Sequence, residues 1–207
     1  MSSTRDEIVG KTSELLELQG YYATGLNQII KESGSPKGSL YYYFPGGKEA
    51  LAAEAVRQAG KIILERIQSN LASIASPEEA IRTFIMNIAL NVELSGYRAG
   101  GPITTVAIET ASSIVPLREE CDRIYTSWQL AIADKLSESG IGETRARQLS
   151  VVIIAAIEGG IILCRTSRSR EPLEFIAEDV ALLIQAAVKA TGRVYGKTTS
   201  LDNVSFG

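Results

Sequence analysis

Apolar positions recur at helical spacing along almost the whole chain, and no stretch of useful length alternates as a strand would. Thr4-Arg5-Asp6-Glu7 reads as a capping box, and Ile8, Thr12, Leu15 and Leu16 follow on one face as far as Gly20. Two short helices come next. Leu26, Ile29 and Ile30 line one face of the first, and Ser33-Gly34 ends it, because glycine accepts the left-handed conformation of a helix stop. Ser35 suits an N-cap and Pro36 suits the first helical position, so the second runs from Pro36 to Phe44, closed by Pro45. A long helix over 47–75 turns Leu51, Ala55, Ile62, Ile63, Ile67, Leu71 and Ile74 inward. Ser76-Pro77-Glu78-Glu79 opens a helix to Leu94, and 95–101 is loop. Pro102 starts a helix to Ser113, and Pro116 starts one to Gly140 with Leu117, Cys121, Ile124, Trp128, Ile132 and Leu136 on a shared face. The last helices cover 143–166 and 172–191. The expected fold is all-α: a three-helix head over 1–47, a helical body over 48–192, and a disordered polar tail over 193–207.

The two short helices carry the chemistry. Leu40 and Phe44 are four residues apart and pack inward. Lys37, Gly38, Ser39, Tyr41 and Tyr42 are left for the outer face and its flanks. Two short helices about a glycine turn form a helix-turn-helix, whose second helix enters the major groove of DNA.

The run Lys37-Gly38-Ser39-Leu40-Tyr41-Tyr42-Tyr43-Phe44, followed by Lys48-Glu49-Ala50-Leu51, resembles the DNA-binding head of the TetR family of bacterial repressors. The resemblance implies that Lys48 holds a phosphate and that Lys37, Gly38, Tyr41 and Tyr42 touch bases or phosphates. Thr24, Ser35 and Ser39 complete the candidate DNA-facing set. Further runs are similar to one branch of that family, around the Bacillus lincomycin-resistance repressor and its flavonoid-responsive paralogue. These are Gln19 to Gln28, Gly101 to Thr110, Pro116-Leu117-Arg118, Trp128 and Ile157 to Ile161. Members of this branch repress genes for drug efflux or for breakdown of plant phenolics. They release DNA when a small aromatic ligand binds, so the resemblance implies such a ligand here.

Charge refines the picture. The chain has 207 residues and a net charge of −3. Residues 1–61 hold seven basic and seven acidic side chains, so the head is neutral. A few placed cations, Lys31, Lys37 and Lys48, suit site-specific binding better than bulk coating of DNA. There is no histidine, which excludes Ser-His-Asp and Cys-His catalysis and most zinc sites. No metal ligand set, catalytic set or cofactor motif is expected. Cys121 and Cys164 stand apart and read as reduced core residues. The polar N-terminus does not resemble a signal peptide. The longest apolar run, Val151 to Cys164, is 14 residues, interrupted by Glu158, and reads as too short for a membrane span. A cytoplasmic protein is expected.

Residues 151–157 are apolar on every face of a helix, so that helix must be covered all round. It is either the central helix of one monomer or part of a homodimer seam. The seam candidates are Val152, Ala156, Gly159, Gly160 and Leu163, with Val180, Leu183 and Ile184 on the last helix. A cavity for a hydrophobic aromatic ligand needs apolar walls and a few convergent polar groups. Tyr97, Ile103, Thr104, Glu109, Tyr125, Trp128, Glu158 and Ile162 are the candidates. Each has a plainer reading, with the aromatics as core and the carboxylates paired with arginine or placed at the seam. The expected function is a dimeric repressor of a palindromic operator, released by a small drug- or flavonoid-like inducer. A helical-bundle enzyme and a ligand-independent DNA binder are the alternatives.

Overall fold

Ser3, one residue ahead of the expected Thr4, caps the first helix. Its hydroxyl accepts the Asp6 N–H at 3.2 Å, and the Asp6 carboxylate accepts the Ser3 N–H at 3.3 Å. The computed structural model describes the backbone of residues 3–98 and 100–198, and side chains through Thr191. Among the described residues it holds nine helices and no strand. They are α1 (Thr4–Ala23), α2 (Leu26–Ser33), α3 (Lys37–Tyr43), α4 (Gly47–Ser73), α5 (Pro77–Leu94), α6 (Pro102–Thr110), α7 (Val115–Glu138), α8 (Glu143–Ser167) and α9 (Glu171–Thr198).

α1 does not stop at Gly20. It breaks there, at φ 80° and ψ 179°, and resumes to Ala23. That conformation is essentially open to glycine alone. A Cβ at this position would also lie 2.1 Å from a Glu109 carboxylate oxygen on α6, so the break doubles as the seat for a body side chain. α2 ends at Gly34 in the left-handed conformation, at φ 65°. α3 begins one residue later than expected, with Pro36 as the capping residue and no side-chain cap. Ser35 is therefore not the N-cap. Its hydroxyl is buried without a hydrogen bond, and its N–H reaches the Ser33 hydroxyl at 3.4 Å.

α4 begins in the head and continues into the body. Leu51, Ala52, Ala55 and Val56 are buried toward its start. At Gly60 it meets α7 so closely that a Cβ would lie 2.7 Å from Ile124. The Trp128 indole N–H donates to the Gly60 carbonyl at 3.1 Å on the same seam. Ile62, expected inward, is 44% exposed, because beyond Gly60 this face of α4 borders a cavity rather than packed core. α5 packs on α9, α7 on α4 and α8, and α6 on α1.

α8 is long and apolar enough, by length and composition, to cross a bilayer, contrary to the expectation from the 14-residue run. Its buried face, with Ile153, Ile154, Ile157 and Ile161, packs into the body against α7 and α9, as a core helix does. α9 continues past the expected end at Thr191 to Thr198, into the segment expected to be disordered. Residues 199–207 of that expected tail lie outside the described residues.

Gly20→Ala should lower stability in urea unfolding by about 1–3 kcal/mol from backbone strain alone, with a further loss from the Glu109 contact. In a Glu109→Ala background the contact part of the loss should vanish and the backbone part remain.

Candidate nucleic-acid interface and ligand cavity

Leu40 and Phe44 anchor α3 in the head at 0% and 4% exposure. That anchoring turns the opposite face outward. Lys37, Gly38, Tyr41 and Tyr42 are exposed, and Ser39 is half-buried beside them. Tyr42 is the most open at 79%, with Tyr43 edge-on to it at 5.1 Å between ring centroids. The exposed face thus offers a lysine, two phenols and a bare glycine backbone, which suits approach to base edges and phosphates. Thr24 and Ser35, two of the expected DNA-facing residues, are buried instead. The Thr24 hydroxyl donates to the Gly20 carbonyl at 2.7 Å, within the turn that follows the break in α1. Lys48 lies with its ammonium 4.3 Å from the centroid of the Tyr21 ring. Burial lowers its pKa from the ordinary lysine value, and the charge of Glu109 opposes that.

In the body, α4, α5, α7 and α8 line an open-mouthed cavity of about 790 Å³. Its walls are mainly apolar, with Ile63, Ile67, Phe84, Ile88, Trp128, Ile157 and Ile161. Arg66, Asn70, Asn87, Asn91 and Glu158 add polar groups. Of the eight expected ligand residues, Trp128 and Glu158 line this space. The Thr104 hydroxyl donates to the Glu158 carboxyl, and the Tyr125 phenol faces the same carboxyl. Tyr125 also packs edge-on against Trp128, at 5.4 Å between centroids. Burial pushes the Glu158 carboxyl above the ordinary carboxylate value, against the opposing hydrogen bonds from Thr104 and Tyr125. Burial, and then the charge of Glu158, push the Tyr125 phenol up as well.

The other four expected ligand residues lie elsewhere. Ile103 is 1% exposed and packs in the core. Tyr97 sits in the loop after α5, its hydroxyl toward Glu93 at 3.4 Å and the Arg168 guanidinium 5.7 Å from its ring centroid. Glu109 and Ile162 border a smaller cleft of about 190 Å³ with Ile108 and Arg165. Glu109 reaches the head, where its carboxylate accepts the Tyr22 N–H at 3.0 Å. Periodicity could not find Arg66, Asn70, Asn87 or Asn91, since each reads as an ordinary polar position. The one available signal was Asn87 and Asn91, four apart in the mainly apolar run Phe84 to Val92.

The expected seam divides. Val152 and Leu163 are 48% and 55% exposed, while Ala156, Gly159 and Leu183 are half-buried. Gly160, Val180 and Ile184 lie inside the body. A Cβ at Gly160 would lie 2.5 Å from Leu173, so its close approach is to α9 of the same chain. Val151, Phe175 and Leu182, which were not expected there, add to the exposed apolar surface of α8 and α9. Among the described residues no group of three His, Cys, Asp or Glu could hold a metal ion. Burial pushes the Cys121 thiol up to about 11, far from a reactive thiolate.

The raised carboxyl at Glu158 has a stability consequence. A native state that holds a proton longer than the unfolded chain loses stability as pH rises from the ordinary carboxylate range through the raised value. Glu158→Gln keeps an acceptor for Thr104 and Tyr125 and has nothing to ionise. Its melting temperature should match the parent below the ordinary carboxylate range and exceed it at neutral pH. Parallel pH profiles for the two proteins would contradict the buried-charge argument.

Comparison with known proteins agrees with this geometry. Residues 8–55 match the model of the tetR family of bacterial regulatory proteins. Residues 77–179 match the C-terminal domain of LmrA/YxaF-like transcriptional regulators. The HTH-type transcriptional regulator YxaF of Bacillus subtilis is 45% identical over 182 residues, 88% of this chain and 95% of that one. LmrA of the same organism is 41% identical over 182 residues, 88% of this chain and 97% of that one. A TetR transcriptional regulator from Chloroflexus aurantiacus superposes with a TM-score of 0.75 at 28% identity, covering 88% and 94% of the two chains. Reduced NemR of E. coli has the same fold, with a TM-score of 0.75 at 21% identity over 89% and 97%. The chain belongs to the TetR family of DNA-binding transcriptional regulators, with an LmrA/YxaF-like C-terminal domain.

Proposed function

We propose that this regulator is a cytoplasmic repressor that binds a palindromic operator as a homodimer. A small hydrophobic, aromatic inducer, drug- or flavonoid-like, releases it. The observation that carries the ligand half is the 790 Å³ cavity, with a tryptophan wall and a half-buried carboxyl that takes the Thr104 hydroxyl and faces Tyr125. An aromatic ring fits against the isoleucines and Trp128, and a phenolic hydroxyl suits Glu158 and the asparagines. The exposed apolar side chains of α8 and α9 support the dimer, since contiguous exposed apolar surface marks an interaction site. The exposed face of α3 supports a major-groove contact, with the two heads of a dimer reading two half-sites. Release follows if the ligand binds better to a body shape in which the heads are wrongly spaced.

The DNA half is tested with substitutions. Lys37→Ala should cost ~1–3 kcal/mol and relax preference at one operator position, whereas Lys48→Ala should weaken all DNA binding and lower the salt slope by ~1. Mutants that bind like the parent would displace α3 from the groove.

The ligand half is tested by fluorescence. Trp128 is the only tryptophan, so a planar polyphenol in the cavity should quench it and release operator DNA over the same concentrations, by linkage. Trp128→Phe keeps an aromatic wall but loses the N–H to Gly60, and should shift the release curve while sparing DNA affinity. Quenching with no change in DNA affinity would separate the cavity from regulation.

A further inference from the structure

Five charged side chains run as one ladder from the head into the body. Arg5 on α1 donates to Glu54 on α4 at 2.7 Å. The other Glu54 oxygen takes Arg57, one turn further along α4, at 2.6 Å. Arg57 turns its fork across the seam onto Glu120 of α7, with Nε 3.1 Å from one oxygen and Nη2 3.0 Å from the other. Arg123 closes the ladder on Glu120 at 2.6 Å. At the head end the Arg5 guanidinium lies 5.5 Å from the ring centroid of Phe44, the buried residue that ends α3.

The two ends differ in kind. Arg5 and Arg57 are substantially exposed, and exposed pairs of this sort ordinarily contribute little. Glu120 is 4% exposed, and a carboxylate that deep is tolerated only with partners in good geometry. The bidentate fork from Arg57 supplies that geometry and fixes direction as well as distance. Burial alone would push the Glu120 carboxyl up, but Arg57 and Arg123 override it and hold it below the ordinary range. The body end is thus a rigid anchor, from which Arg57, Glu54 and Arg5 extend to the floor of the reading helix.

α4 is one rod shared by head and body, and a single rod leaves tilt and twist of the head about its axis weakly set. A second, off-axis tie is needed to set them. α6 and the loop before it supply ties to α1, through Glu109 to the Tyr22 N–H and through the Gly100 N–H, which donates to Glu17 at 2.7 Å. The ladder supplies another through α7.

We propose that the Arg5–Glu54–Arg57–Glu120–Arg123 ladder is a spacing strut, whose positioning residues fix the tilt of the head and thereby the half-site separation a dimer accepts on DNA. This rests on the reading of the chain as a dimeric binder of palindromic DNA. One added base pair moves a half-site by about 3.4 Å along the helix axis. It also turns the half-site by about 35° around the axis, since a turn holds 10–10.5 base pairs. Only a head held at fixed tilt rejects such a change.

The test is selection of bound duplexes from a random DNA pool by the full-length protein, followed by sequencing. The parent should enrich a palindrome with one dominant half-site separation. Glu120→Gln should enrich the same half-site sequence with separations spread by one base pair to either side. Glu54→Gln, at a less buried rung, should give the same spread and decides the matter if Glu120→Gln fails to fold. If the folded variants keep the parent's single separation, or lose the half-site sequence together with it, the strut is overturned. A parent that enriches no palindrome overturns the operator reading itself, a result distinct from an unchanged separation.

Discussion

Gly60 lets α4 pass so near α7 that a methyl group there would lie 2.7 Å from Ile124. Nearly everything else in the molecule depends on that contact. Toward the head, the seam carries the Arg57–Glu120 fork. At the contact, Trp128 ties its indole to the Gly60 carbonyl. Away from the head, Ile62, Ile63 and Trp128 line the cavity, and the two helices stay in touch as far as Lys135, whose ammonium donates to the Ile74 carbonyl at 2.8 Å. One seam therefore carries both the fork on the head side and a wall of the cavity. Two helices in such contact resist continuous deformation, because packed interiors change by discrete repacking.

The body treats two carboxyls in opposite ways. Glu120 is buried against two guanidiniums and is held ionised. Glu158 is half-buried beside the hydroxyls of Thr104 and Tyr125, and desolvation pushes it toward its neutral form. The first arrangement completes itself, since both oxygens already take charged donors. The second leaves acceptor capacity unfilled beside a cavity, because two hydroxyl donors do not exhaust a carboxyl group. Perturbed groups of the second sort gather at functional sites, whereas ion-paired groups of the first sort also serve structure. The contrast is the physical reason to propose Glu158 for ligand contact and Glu120 for the strut.

Local features of the fold were legible in the sequence. Gly34 had to end α2, and Leu40 with Phe44 had to face inward, since each follows from neighbours within four residues. The proline starts of α5 and α6 were readable for the same reason. The site was less legible, because its chemistry is made by partners far apart in the chain. Glu109 reads as a ligand group until Gly20 and Tyr22, 87 residues before it, are seen to claim its carboxylate. Arg57 and Glu120 are 63 apart, and nothing in helical periodicity pairs them. Thr24 falls in the expected DNA-facing set, yet its hydroxyl is buried and donates to the Gly20 carbonyl at the break in α1. Gly160 was read as a seam residue because a small residue marks close approach without saying to which helix.

On the proposed reading, a ligand can act on the head only through elements that touch both. α4 is one, by continuity. α6 is another: Thr104 binds Glu158 at the cavity, and Glu109, five residues on, binds the N–H of Tyr22 just beyond the break in α1. The break matters here. An unbroken α1 would spread any displacement over its whole length, whereas a glycine hinge confines it to Tyr21–Ala23. Those residues lead straight into α2, and Tyr21 carries the Lys48 ammonium on its ring. A shift of α6 thus arrives where the reading pair begins and where a phosphate contact is held. A ligand that binds both states equally would move none of this, however tightly it bound. The contact through which a ligand at Glu158 reaches α6 is the Thr104–Glu158 hydrogen bond, since a ligand hydroxyl given to the unfilled side of that carboxyl draws on the group Thr104 holds.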